Sequence, residues 1–218
     1  MSRKKSIVIV DDHPLMRKGM AMTLESDMAF QVVGQAESAE EAMQTIPELK
    51  PDLAVIDISL PGMNGIELIK NLLVQLPDLH VLVVSRHDEE LYAERAIRAG
   101  ARGYLMKLEA GDTLVAAARQ VLDGRLFLSP EIGNMLLMKL TSNRGADSDD
   151  PLELLSDREL EVFELTGKGK TTREIAEKLH VSVKTVESYR ARIKEKMDLK
   201  SANDLLRRAV QWSERLSI

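Results

Sequence analysis

The chain has 218 residues, 44% of them apolar, and its 30 basic and 35 acidic side chains leave a net charge of −5. That is enough apolar material for one large domain or two of about 100 residues each, and it excludes full-length disorder and a wholly basic nucleic-acid coat. With no cysteine, disulfides, thiolate zinc sites and a cysteine nucleophile are excluded as well. In chain order, Met1-Ser2-Arg3-Lys4-Lys5 leads into Ile7–Val10, an apolar run too short for a signal peptide. Nothing later approaches the ~18 apolar residues of a membrane helix, so a cytoplasmic chain with no membrane partner is expected. Strand-like runs follow at Phe30–Gly34, Leu53–Ile58, Val81–Val84 and Gly103–Leu105. Their successive apolar positions suit strands buried on both faces. Helix-period segments alternate with them at Leu15–Leu24, Ala39–Leu49, Ile66–Leu76, Leu91–Ala99 and Thr113–Leu122. Residues 142–151 are small and polar and read as a linker. Beyond them, Ser156-Asp157-Arg158-Glu159 and Thr171-Thr172-Arg173-Glu174 are capping boxes, while Ser182 and Ser201 open further helices. Four short helices are predicted, at about 157–167, 172–179, 183–197 and 202–214.

The fold class that follows is α/β, a doubly wound five-stranded parallel sheet, joined to an all-α four-helix domain with a helix-turn-helix. The expected domains are 1–125, a connecting helix and linker over 126–151, and 152–218. Charge divides the same way: residues 1–138 carry net −6, 139–150 net −1 and 151–218 net +2. Ligands of such sheets bind beyond the carboxyl ends of the strands. Those ends hold Asp11 and Asp12, Asp57, Ser85 and, after the last strand, Lys107. Three neighbouring carboxylates need a cation, and oxygen ligation without thiolates favours Mg2+. A carboxylate can also act as a nucleophile toward phosphorus, with the metal and a lysine neutralising the transferred group. His13, beside two aspartates, reads as a solvated imidazole rather than a ligand.

The second domain offers a different chemistry. The helix predicted over 183–197 turns Val183, Val186, Ile193 and Met197 inward. From Val183 to Lys200 it carries six basic residues against three acidic ones. A recognition helix places its N-terminal residues on base edges and its cations on phosphates. The glycine often found in the turn of this motif is absent at His180-Val181-Ser182.

Two sets of motifs carry a family resemblance. Val10-Asp11-Asp12-His13, the run Val55-Ile56-Asp57-Ile58-Ser59-Leu60-Pro61-Gly62-Met63-Asn64-Gly65, Ser85, and Tyr104-Leu105-Met106-Lys107 together resemble the receiver domain of bacterial two-component response regulators, with its flavodoxin-like fold, over residues 5–124. The resemblance implies that Asp57 accepts a phosphoryl group from a sensor histidine kinase. It implies that Asp11, Asp12, Asp57 and the carbonyl of Ser59 hold Mg2+, and that Lys107 pairs with the phosphoryl oxygens. Ser85 would move to hydrogen-bond the phosphoryl group, and Tyr104 would swing into the space it leaves. Arg86, Leu108 and Asn64 depart from the usual pattern without removing a group that this chemistry needs.

Leu155–Val162, Gly169, Glu174–Leu179, Ser182–Tyr189 and Lys196-Met197 resemble the DNA-binding domain of LuxR/NarL/FixJ-type regulators over residues 152–216. Tyr189 stands where that family usually has histidine. The resemblance implies double-stranded DNA as partner, with Glu187, Ser188 and Ala191 facing bases. Lys184, Thr185, Arg190, Arg192 and Lys194 would position the helix on phosphates. A homodimer on DNA is expected, paired through Leu205, Leu206, Ala209 and Trp212 of the last helix, with RNA polymerase a further candidate partner. The expected function is thus a transcription regulator whose dimerisation and promoter binding are switched by phosphorylation. The alternative is a phosphorylation-independent regulator with a vestigial receiver. An enzyme cleaving phosphate esters is disfavoured, because Ser59 stands where such chemistry needs a second acid.

Overall fold

In the computed structural model, residues 3–141 and 151–215 are described, and they divide into two compact units, 1–141 and 142–218. Of the expected linker over 142–151, residues 142–150 lie outside the described residues. The first unit is built on β1 (Lys5–Val10), β2 (Phe30–Ala36), β3 (Leu53–Ile56), β4 (His80–Ser85) and β5 (Gly103–Met106), all parallel in the order β2-β1-β3-β4-β5. The apolar runs become strands because both their faces are covered: Ile7 to Val10, Leu53 to Ile56 and Val81 to Val84 are completely buried. Edge strand β2 alternates buried and exposed residues instead. The crossover helices are α1 (Pro14–Glu25), α2 (Ala39–Leu49), α3 (Gly65–Gln75), α4 (Glu89–Arg98) and α5 (Ala110–Leu122). They start where short polar side chains accept the first free amides. Ser38 caps α2, Asn64 caps α3 and Asp88 caps α4.

Register decides what meets at the carboxyl edge. Val10 pairs with Ile56, Ile56 with Val83, and Ser85 with Met106. Asp57 N donates to Val10 O at 2.8 Å. Asp11 and Asp57, each one residue past its strand, therefore stand side by side, with Ser85 and Lys107 beyond the next two strands.

A further helix, α6 (Pro130–Thr141), lies within the 126–151 span and belongs to the first unit. Glu89 accepts from Ser129 N at 3.1 Å, and Glu94 pairs with Lys139 at 2.5 Å, so α4 holds it at both ends.

The second unit contains α7 (Asp157–Gly167), α8 (Thr172–Leu179), α9 (Val183–Lys196) and α10 (Ala202–Arg215). Both predicted capping boxes are formed, at Ser156/Glu159 and at Thr171/Glu174. Ser182 caps α9 through Thr185 N. The turn that lacks glycine is made by His180, which takes the left-handed conformation at φ 52° and ends α8.

One expectation about α10 is overturned. Leu205 and Ala209 are buried, and Trp212 packs on Phe163 with ring centroids 5.5 Å apart. These residues form the unit's own core against α7. The crossing is so close that a Cβ on Gly167 would lie 2.4 Å from the carbonyl oxygen of Ala209. Of the four proposed pairing residues, Leu206 alone stays well exposed, at 44%.

Candidate functional site

At the carboxyl edge of β1, β3, β4 and β5 the sequence-predicted residues converge. Asp57 is 2% exposed and Asp11 is fully buried. Lys107 reaches across β4 and sets its ammonium 2.6 Å from Asp57 Oδ2 and 2.6 Å from Asp11 Oδ2. Burial raises the Asp57 pKa above its ordinary value; Lys107 opposes the rise and Asp11 adds to it. The carboxylates of Asp11, Asp12 and Asp57 and the imidazole of His13 each offer one ligand atom within 4.8 Å of the others. One ammonium against three carboxylates leaves negative charge to be matched, and that donor set fits a hard divalent cation. Ser59 lies on the same loop, its amide donating to Asp57 Oδ1 at 3.3 Å.

His13 keeps 45% of its side chain in solvent and also contacts the carboxylates. Asp11 Oδ1 accepts from His13 N at 2.8 Å, which folds the residue back over the carboxylates before Pro14 starts α1. Its Nδ1 then contacts Asp12 Oδ1 and lies 3.3 Å from Asp11 Oδ1.

Ser85 and Tyr104 stand close to the same edge. Ser85 is fully buried and its Oγ accepts from His87 N at 3.2 Å. Tyr104 already stands inward, 1% exposed, with its hydroxyl donating to His87 O at 2.9 Å. Burial raises the phenol's pKa well above its ordinary value. Arg86 and Leu108, the two departures at the rim, both point to solvent.

Three contributors escape the sequence reading. Arg17 donates to the backbone carbonyl of Asp11 and orients that loop. Gly65 admits the Asp57 carbonyl to the start of α3. His87 organises the β4–α4 loop through the contacts above. A glycine inside the Asp57 run was visible, whereas nothing in local pattern marks Arg17 or His87.

On α9, Lys184, Glu187, Ser188, Ala191 and Arg192 are exposed, with Thr185 and Lys194 half-buried. The hydroxyl of Ser188 donates to Lys184 O at 3.0 Å, and that of Thr185 shares a 2.7 Å bond with the Ser182 cap. Arg190 departs from the expected phosphate role. Its guanidinium turns inward to Thr172 Oγ1 at 2.7 Å, Thr166 Oγ1 at 3.2 Å and Lys170 O at 3.3 Å. It thereby ties α9 to α7 and to the start of α8. Arg190→Ala is expected to destabilise this unit by about 1–3 kcal/mol, read as earlier thermal unfolding. Arg192→Ala should leave unfolding unchanged. A wild-type melting profile for Arg190→Ala would place that residue on the surface after all.

A parallel sheet with a lysine-bridged acidic crevice, carried on one chain with a helix-turn-helix, defines a DNA-binding regulator with a built-in switch. Comparison with known proteins specifies the family. Residues 7–119 match the response regulator receiver domain, and residues 153–209 match the luxR family of bacterial regulatory proteins. Oxygen regulatory protein NreC of Staphylococcus carnosus is 36% identical over 209 residues, covering 94% of this chain and 96% of that protein. Response regulator GacA of Pseudomonas aeruginosa is 37% identical over 205 residues, covering 94% and 95%. Among solved structures, RcsB of Salmonella enterica serovar Typhimurium, bound to promoter rprA in the presence of phosphomimetic BeF3−, aligns over 94% of this chain and 98% of that one. The TM-score is 0.61 and the identity 27%. The chain belongs to the two-component response regulators of the LuxR type. Among the described residues, no helix is long and apolar enough to cross a membrane.

Proposed function

We propose that this cytoplasmic, non-enzymatic regulator takes a phosphoryl group on Asp57 from a sensor histidine kinase, and that the modified receiver promotes dimerisation and promoter binding. The observation that carries the reading is Asp57 itself. It is a carboxylate buried to 2% exposure, 2.6 Å from one ammonium and beside two further carboxylates. Such a group is costly to keep ionised, and phosphoryl transfer turns that cost to use. Asp11, Asp12, Asp57 and the carbonyl of Ser59 would hold Mg2+, which when bound offsets the charge on the transferring group. Lys107 stays within reach of the phosphoryl oxygens. Ser85 supplies a hydroxyl from the next strand end, and Tyr104, already inward, fixes the β4–α4 loop through His87 O. On DNA, Glu187, Ser188 and Ala191 face bases, with Glu187 suited to a cytosine amino group. Lys184, Thr185, Arg192 and Lys194 meet phosphates.

The test measures molecular size and DNA affinity with and without Mg2+ and a small phosphodonor, for wild type and Asp57→Ala. Wild type alone should gain a phosphate, dimerise and bind DNA more tightly. Identical behaviour of the two proteins would make the receiver vestigial. Two substitutions separate the DNA and pairing surfaces. Lys184→Ala should weaken binding to all sequences alike and reduce the salt slope by about 1, measured by titration at several salt concentrations. Leu206→Glu, at the one well-exposed residue of the four, should weaken DNA binding without changing phosphate uptake; unchanged affinity would leave Leu206 with no pairing role.

A further inference from the structure

His13 stands directly after the paired aspartates and directly before α1, and its side chain serves the crevice rather than the helix. The residue before a helix is usually one whose short oxygen side chain accepts a free amide. His13 makes no such bond. Pro14 removes one of the free amides of α1 and holds His13 in an extended conformation, with φ −94° and ψ 108°. The amide of His13 donates to Asp11 Oδ1 at 2.8 Å, and its carbonyl accepts from Arg17 N at 3.0 Å. The backbone is thus fixed on both sides, and the imidazole is turned back over the carboxylates.

What it meets there is a set of donor atoms. Nδ1 contacts Asp12 Oδ1, lies 3.3 Å from Asp11 Oδ1, and sits within 4.8 Å of one oxygen each of Asp11, Asp12 and Asp57. Asp12 Oδ1 is buried and accepts no hydrogen bond. Lys107 is committed elsewhere, to Asp11 and Asp57 at 2.6 Å each. Neutral imidazole with its proton on Nε2 presents a lone pair at Nδ1. A nitrogen lone pair and an unmatched carboxylate oxygen side by side are both satisfied by one shared cation.

The kind of donor decides the kind of ion. Mg2+ is held through oxygen and keeps several waters. Imidazole nitrogen suits the later divalent transition ions instead. We propose that His13 Nδ1 is a fourth side-chain ligand of this crevice, used by borderline divalent cations such as Co2+ and Zn2+ and left unused by Mg2+. The inference rests on the reading of Asp11, Asp12 and Asp57 as a metal site. It makes His13 a specificity-determining residue. Oxygen donors alone already rank the divalent ions in a general order of affinity, and His13 widens the gap between Mg2+ and the ions that take nitrogen.

The test uses the full chain without a phosphodonor. Isothermal titration calorimetry measures Mg2+ and Co2+ affinity for wild type, His13→Ala and His13→Asn. Each variant should lose at least about tenfold in Co2+ affinity, since even losing a partner that merely orients a ligand costs that much. Mg2+ affinity should stay within about twofold, because oxygen ligands carry it. Asparagine guards against failure to fold, since its short oxygen suits the position before α1. In proton spectra of the Co2+-loaded wild type, a strongly shifted imidazole N–H resonance should appear, and both variants should lack it. Wild-type Co2+ affinity in the folded variants, or the shifted resonance surviving in them, would overturn the proposal. So would equal losses for Mg2+ and Co2+, which mark a residue that only shapes the loop. If wild type binds neither ion, the metal reading and the ligand role fall together. If Asp12→Ala loses both ions while the His13 variants match wild type, the metal site stands and the ligand role of His13 alone fails.

Discussion

Asp57→Asn is expected to take up no phosphate at all and, at pH 7 without Mg2+, to unfold at a higher temperature than wild type. The first result follows from loss of the carboxylate nucleophile. The second follows from where that carboxylate sits. Burial raises the Asp57 pKa, Lys107 pulls it back without fully cancelling the rise, and Asp11 adds repulsion. Protonated Asp57 therefore stabilises the fold. That contribution is complete below the ordinary value of 3.8 and is lost as pH rises through the higher folded value. Once ionised, the wild-type carboxylate carries the full cost of burial, and asparagine of the same shape does not. Lys107 keeps Asp11 at 2.6 Å in the variant, so no ammonium is stranded. Thermal unfolding across pH should show the gap narrowing as pH falls through the raised folded value of Asp57 and closing below 3.8, where Asp57 is protonated in both states. Mg2+ should raise wild type more than the variant, because the ion favours the ionised set. If Asp57→Asn unfolds at or below the wild-type temperature at pH 7, the pair with Lys107 outweighs burial, and the crevice is a structural ion cluster.

The elements and the convergence of Asp11, Asp57, Ser85 and Lys107 on one sheet edge were legible because both rest on local signals. Buried strands appear as apolar runs, and helices start at Ser156, Thr171 and Ser182 because a short oxygen side chain followed by Glu or Thr satisfies free amides. Asp57, Ser85 and Lys107 were found because strand ends in a parallel sheet share one edge. What stayed hidden depends on tertiary partners. An apolar stripe such as Leu205, Ala209 and Trp212 looks the same whether it meets a second copy or its own core, and the ring that Trp212 meets, Phe163, lies about fifty residues away. Arg190 belongs to a run of cations that reads as a DNA face; only its approach to Thr166 and Thr172 separates it from Arg192 and Lys194. His87 is a single imidazole after a strand, and its contacts include Ser59, Ser85, Tyr92 and Tyr104.

Gly65→Ala is expected to be among the most damaging single-methyl additions in the receiver. A Cβ there would lie 2.0 Å from the Asp57 carbonyl oxygen and 2.8 Å from Ile58 Cα. Both are backbone atoms of the acceptor loop and cannot rotate away. The same loop is fastened at this point by the amide of Gly65, which donates to Ile58 O at 2.9 Å. Accommodating the methyl therefore means pushing Asp57 off its register beside Val10 and Lys107, or shifting the start of α3. Overpacking of this kind costs about 3 kcal/mol, a fall in Tm of roughly 10 °C for a domain of this size. The surviving folded protein should accept phosphate more slowly, because the carboxylate no longer sits level with Asp11. Gly19→Ala is the control. Its Cβ meets nothing within 4 Å, and the residue lies inside α1, so alanine should stabilise by about 1 kcal/mol. Equal melting temperatures for Gly65→Ala and wild type would show that the acceptor loop has room to yield, and that the closeness of α3 is not what holds Asp57 in place.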